Sequence, residues 1–225
     1  MQTIRFKSSL PLTGFAPQWD FTIGVFQLQD QEILDTIRRF LIHKEDHILS
    51  LKQGDNAGTG VGDDSITTRY GKYNLFDFQD ECPELITLLE WLQTSFLEFA
   101  QHEASMPMEL EIVCWYNILR DGAGMDEHIH SSQQSSYLSG NMQISEFNTQ
   151  TNYRPPMCDT GKTLDGPSGQ LVMFPSFVPH SVDHEYKGER ISIAFDLYPT
   201  HLLVENWGKY RKFINEDIFK QLTSK

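Results

Sequence analysis

An α+β fold with one sheet system is the architecture this sequence predicts, its helices gathered in the first half of the chain and its antiparallel strands in the second. Two observations carry the prediction. Apolar residues change from a two-residue to a helical period at Asp30, and the two-residue period returns after Pro107. No internal repeat or low-complexity tract interrupts either half.

Taken in order, Ile4 and Phe6, then Phe21, Ile23 and Val25, show the alternation of half-buried strands, broken by Pro11, Gly14 and Pro17. Ile33, Leu34, Ile37, Phe40 and Leu41 then recur at helical spacing behind Asp30, a suitable N-cap, and this helix is expected to end between Lys44 and Leu51. Residues 53–64 carry Gly54, Gly58, Gly60 and Gly62 but no Gly-Lys-Ser/Thr ending, which predicts a mobile surface loop rather than a phosphate cradle. A second helix is expected after Pro83, with Leu85, Leu88, Leu89, Leu92, Phe96 and Phe99 as its apolar stripe. Past Pro107, Leu110, Ile112, Cys114 and Tyr116 alternate as a strand, and Tyr137 to Ile144 is a weaker one. Residues 145–168, with Pro155, Pro156, Gly161, Gly166 and Pro167, read as a loop. Leu171 to Phe174 form a short strand stopped by Pro175, and Ile191, Ile193 and Phe195 mark the last one. Trp207 and Tyr210 are expected to dock a C-terminal tail or short helix.

The 225 residues are read as a single domain, residues 1–225, made of N-terminal strands and supporting helices (1–108), a site-bearing core (109–200) and a tail (201–225). Eighteen Lys and Arg against thirty-one Asp and Glu give a net charge of -13, which disfavours general nucleic-acid binding. No apolar run approaches the roughly 18 residues of a membrane span, and Met1 to Lys7 lack the apolar stretch of a secretory signal. Cys82, Cys114 and Cys158 are odd in number and share no Cys-x-x-Cys spacing, so a disulfide framework and a zinc ribbon are excluded and a reducing, cytoplasmic location is expected. Oligomeric state is left open.

The chemistry lies in the histidines. His43 and His47 are four apart without a His-Glu-x-x-His pattern and read as a solvated helix face. His128-Ile129-His130 differs, because residues i and i+2 of a strand share a face and can chelate one ion. Asp126 would share that face if the strand has already begun there. A third histidine, His180, follows Phe174-Pro175-Ser176-Phe177-Val178-Pro179. His184, four residues later, is read as a surface residue beyond a turn. On the strand from Arg190, the alternation puts Arg190 and Ser192 on one face and Ile191, Ile193 and Phe195 on the other. An inward arginine needs an anion: a bidentate carboxylate ligand, or a salt bridge to Glu189 or Asp183.

The order His-x-His, Leu138-Ser139-Gly140, Gly169-Gln170-Leu171-Val172-Met173-Phe174-Pro175-Ser176, His180, then Arg190-Ile191-Ser192-Ile193-Ala194-Phe195 resembles the iron(II)- and 2-oxoglutarate-dependent oxygenases, in particular a group of such proteins from bacteria and marine phages. The resemblance spans about residues 112–197. It implies a double-stranded β-helix, or jelly roll, backed by the helices of the N-terminal half. It implies iron(II) held by His128, His130 and His180, with 2-oxoglutarate as cosubstrate on Arg190 and Ser192 and, more weakly, on Asn117. It implies hydroxylation of a substrate, small molecule or protein, that the sequence does not name. The chain departs from the usual two-histidine, one-carboxylate set. His130 stands where the carboxylate is common, with Asp126 as its possible replacement, and Asn141-Met142-Gln143 stand where tyrosines are usual. The residues alone leave two other readings open: a cupin-like metalloprotein that does not use 2-oxoglutarate, and a non-enzymatic jelly-roll structural or assembly protein.

Overall fold

Asp30 decides where the first helix starts. Its backbone is extended and its carboxylate accepts the N–H of Ile33 at 3.1 Å, so helix α1 runs from Gln31 to Leu49 and buries Leu34, Ile37, Leu41 and Ile48. The computed structural model describes residues 1–103, 109–132, 137–145, 149–158, 160–184, 188–203 and 208–223. Helix α2 (Glu84–Glu103) begins straight after Pro83, where a missing N–H costs nothing, and buries Leu85, Leu88, Leu92, Phe96 and Phe99. Two 3₁₀ turns, Ile66–Arg69 and Leu75–Phe78, lie between the helices. A third helix, α3, spans Glu216–Thr223. Among the described residues no helix is long and apolar enough to cross a membrane.

The strands form two antiparallel sheets. The larger is built from β1 (Gln2–Lys7), β2 (Asp20–Gln27), β3 (Leu110–Arg120), β5 (Leu138–Gln143), β8 (Gln170–Pro175), β10 (Glu189–Pro199) and β11 (Arg211–Ile214), in the order β1-β2-β8-β5-β10-β3-β11. The smaller holds β4 (Met125–His128), β6 (Thr149–Tyr153), β7 (Lys162–Gly166) and β9 (His180–Val182), in the order β4-β9-β6-β7. Neighbours in space are mostly distant in sequence, and the chain passes repeatedly between the sheets, as the jelly roll requires.

Three expectations need correction. Residues 145–168 are not a loop, because β6 and β7 pair within them from Thr149↔Gly166 to Tyr153↔Lys162. Their segments Thr149-Gln150-Thr151-Asn152-Tyr153 and Lys162-Thr163-Leu164-Asp165-Gly166 are too short and polar to show an apolar alternation, and β7 is an edge strand. Residues 53–64 do not stand off as a surface loop: Thr59 and Val61 are buried, and the carbonyl of Thr59 accepts the N–H of Asp126 at 2.8 Å. The single sheet system is in fact two sheets. At the C-terminus, β11 extends the large sheet and Tyr210 packs edge-on to Tyr198, whereas Trp207 lies outside the described residues.

β10 is paired on both sides, Ser192 with Asn117 of β3 and with Gln143 of β5. Its outward row, Ile191, Ile193 and Phe195, is buried in one apolar cluster with Leu85, Leu88, Leu92 and Phe96, so the helices cover that face. Gly140 lies directly across from Phe195, and a β-carbon there would come within 2.3 Å of the ring. Gly140→Ala therefore should destabilise the fold by about 1–3 kcal/mol through overpacking. Phe195→Leu should recover part of that loss in the double variant, as urea denaturation of the four proteins would measure; additive losses would contradict the contact.

Candidate metal centre

β4 ends at His128, which pairs with His180 of β9 across the small sheet. The ladder is irregular between Met125 and His128, so strict alternation fails there. The Asp126 side chain accordingly points to solvent, 3.9 Å from His184, and it stays out of the histidine cluster. The exposed Glu127 carboxylate instead faces Arg154 at 3.4 Å. His130 lies just past the strand, anchored by its own N–H to the carbonyl of Ser176 at 3.0 Å. One ring nitrogen from each of His128, His130 and His180 lies within 4.8 Å of the other two. The ring centroids are 4.4 Å (His128–His180), 5.0 Å (His130–His180) and 5.7 Å (His128–His130) apart.

Which nitrogens are free follows from the hydrogen bonds. Nδ1 of His128 meets the carbonyl of Asp126 at 2.8 Å, and Nδ1 of His180 meets the carbonyl of Val178 at 3.1 Å. Nδ1 of His130 meets Oδ1 of Asp196 at 2.6 Å. A carbonyl or carboxylate oxygen only accepts, so each Nδ1 carries a proton and donates it. In the neutral ring each Nε2 is then a bare lone pair, which is the form that binds a metal. Electrostatics agree. Burial, reinforced by His130, pushes the His128 imidazolium down to about 4. Burial, with His130 and His128 next, holds His180 well below its ordinary value. Three imidazole donors within 4.8 Å of one another fit a first-row divalent metal.

The histidines open onto a cavity between the sheets. Arg190, Ser192, Asn117, Asn141, Thr151 and Trp115 line it as well, so the sequence-predicted site residues all meet in one space. Arg190 is buried, and its Nη2 donates to Thr151 Oγ1 at 3.0 Å. The salt-bridge alternatives are engaged elsewhere: Glu189 accepts from Arg120 at 2.7 Å and Asp183 from Asn152 at 2.8 Å. Asn117 Oδ1 accepts from Thr67 Oγ1 at 2.8 Å, which leaves its amide N–H groups as donors. Ala57 and Thr59 of the glycine-rich segment complete one wall. His184 is exposed, as expected, although its Nδ1 accepts the N–H of Gly124.

Asp196 was not foreseen. It is buried at the end of the row Arg190, Ser192, Ala194, Asp196, and its Oδ1 accepts from Ser139 Oγ at 2.5 Å as well as from His130. Extending the two-residue alternation by one step would have found it. Trp115, two residues before Asn117 on β3, follows by the same step, whereas Thr67 and Thr151 carry no such signal, since they reach the cavity from separate segments.

Neutral His128 and His180 make the metal-free protein acid-sensitive. The unfolded chain takes up protons near pH 6.5, whereas folded His128 resists until about pH 4, so the unfolded state binds more protons in between. The thermal midpoint of the metal-free protein should therefore fall as pH drops from about 6.5 toward about 4, and His128→Gln should flatten that slope. A saturating divalent ion should raise the midpoint at pH 7, by about 2.7 kcal/mol of stability at one hundred times its dissociation constant. Differential scanning fluorimetry with and without chelator reads both effects.

Residues 113–196 match the model of a family described as "Putative 2OG-Fe(II) oxygenase". No curated protein matches the chain by sequence. Among solved structures, a prolyl-4-hydroxylase of Pseudomonas putida is similar, with 13% identity over 78% of this chain and 91% of its own, at TM-score 0.55. A prolyl hydroxylase of Trichoplax adhaerens, solved with a hypoxia-inducible-factor peptide, gives 14% identity over 80% and 84%, at TM-score 0.56. The epimerase SnoN, solved with Fe3+, α-ketoglutarate and nogalamycin RO, gives 14% identity over 83% and 87%, at TM-score 0.50. At these identities the structural likeness establishes the jelly-roll fold, and the matched segment holds every residue of the histidine and arginine constellation. Residues 113–196 thus resemble the family described as putative 2OG-Fe(II) oxygenases, on a chain whose fold is that of the jelly-roll structures above.

Proposed function

We propose that this protein is an iron(II)- and 2-oxoglutarate-dependent dioxygenase that hydroxylates a small molecule or a protein segment presented at the mouth of its barrel. One observation carries the reading: three histidines with their Nε2 lone pairs free share a cavity with a buried arginine. A buried arginine in the same cavity as the metal ligands favours an anionic cosubstrate over a metalloprotein without one and over a purely structural jelly roll.

His128, His130 and His180 would hold the iron, and the bound ion and 2-oxoglutarate would supply the oxygen-dependent oxidation. The protein's own part is positioning. Arg190 offers a planar fork of donors to the distal carboxylate, with the Ser192 hydroxyl and the Asn117 amide as neutral donors beside it. Thr67 fixes the orientation of Asn117, and Thr151 that of Arg190. Trp115, Met125 and Val182 make the rest of the wall apolar, which limits water around the reacting atoms. Holding cosubstrate and substrate at one centre converts encounters into a bound, oriented reaction.

Arg190→Ala should weaken 2-oxoglutarate binding by about 10- to 150-fold, the value of one charged hydrogen-bonding group, or about 1.5–3 kcal/mol. Arg190→Lys should recover only part, because an ammonium lacks the two-pronged geometry. Calorimetric titration of 2-oxoglutarate into protein loaded with manganese(II), without oxygen, makes the test. Equal affinities would remove Arg190 from the site, and no binding by the wild type would remove 2-oxoglutarate from the function.

A further inference from the structure

The ligand set of three neutral imidazoles lacks the negative charge that a two-histidine, one-carboxylate site places on the metal. The structure supplies a carboxylate one hydrogen bond away. Asp196 Oδ1 lies 2.6 Å from Nδ1 of His130, and the two side chains are 6% and 8% exposed. Asp126 and Glu127, the other carboxylates beside the cluster, point to solvent. Asp196 is held in turn. Ser139 donates to its Oδ1 at 2.5 Å, Ser139 Oγ lies 2.9 Å from Ser176 Oγ, and the Tyr198 hydroxyl lies 3.4 Å from its Oδ2.

We infer that Asp196 is a positioning residue that returns the missing negative charge to the metal centre through His130. This rests on the metal-binding reading above. A carboxylate on Nδ1–H fixes the tautomer and the ring orientation, and it makes Nε2 a stronger donor. In the low-dielectric surroundings of the cavity its charge also acts directly on a cation at the Nε2 side. The donors around Asp196 explain how a buried carboxylate is tolerated there: each hydrogen bond to the charged form offsets part of its desolvation.

Asp196→Asn isolates the charge, because the amide oxygen can still accept from His130 and Ser139 while the side chain keeps its shape. Cobalt(II) affinity, measured by calorimetry without oxygen, should fall by about 10- to 100-fold, the usual loss on removing such a partner. Combining Asp196→Asn with His130→Asp moves one negative charge onto the metal itself. That double variant should recover at least about tenfold over Asp196→Asn, and its cobalt absorption bands should shift as an oxygen ligand replaces a nitrogen. Thermal unfolding without metal reads the fold in parallel. An Asp196→Asn protein that fails to fold, beside a double variant that folds and binds, still supports the charge role. Failure of both to fold assigns Asp196 to structure alone and overturns the inference. Wild-type affinity in Asp196→Asn, or a double variant no better than it, also overturns it. No cobalt binding by the wild type would instead sink the metal centre, and the proposed function with it.

Discussion

Strand β10 holds two incompatible environments apart. It is hydrogen-bonded on both sides, to β3 and to β5, so it can neither rotate nor slip without breaking two ladders. A one-residue slip would also send Ile191, Ile193 and Phe195 into the cavity and Arg190, Ser192 and Asp196 into the apolar layer beneath the helices. That double penalty fixes the register, and the register places everything else. The apolar row gives α1, α2 and their turns a surface to cover. The polar row delivers one arginine, one hydroxyl and one carboxylate to the same side of the sheet.

A buried polar face is tolerable only when its groups are partnered or reserved for a ligand. Most here are partnered from outside β10: Asn117 by Thr67, Arg190 by Thr151, Asp196 by Ser139 and His130. The histidines follow the same rule with one difference. Each Nδ1 is satisfied, two by backbone carbonyls two residues upstream, and each Nε2 faces the cavity. Burial keeps His128 and His180 neutral, so the cost of desolvation itself prepares them to bind a cation.

The small sheet is the more adaptable partner. β4 and β9 are short and their pairing is irregular between Met125 and His128. A regular strand would have aimed Asp126 beside His128. The irregularity turns the carboxylate outward and uses its backbone carbonyl to orient His128. The segment 53–64 then closes over β4 through Thr59, and Gly60 suits that place because its backbone is left-handed, with φ +70°.

Local sequence was sufficient for the helices, the long strands and the facing of β10, because each depends on a period that runs through consecutive residues. It was sufficient also for His128, His130, His180 and Arg190, whose spacing and order carry a pattern of their own. It failed for β6 and β7, whose short polar segments have no period to read and become strands only by pairing, β6 with both β7 and β9. It failed for the glycine-rich segment, since nothing in residues 53–64 announces that β4 will lie beneath them. Asp196 stands between these cases: the alternation places it on the inner face, but that its charge meets His130, 66 residues earlier in the chain, is settled only where the end of β10 passes the end of β4. The sequence by itself determined which residues face inward, because that is a matter of consecutive dihedral angles; the tertiary structure alone decided which of them touch, because contact across the barrel depends on how two sheets close on each other.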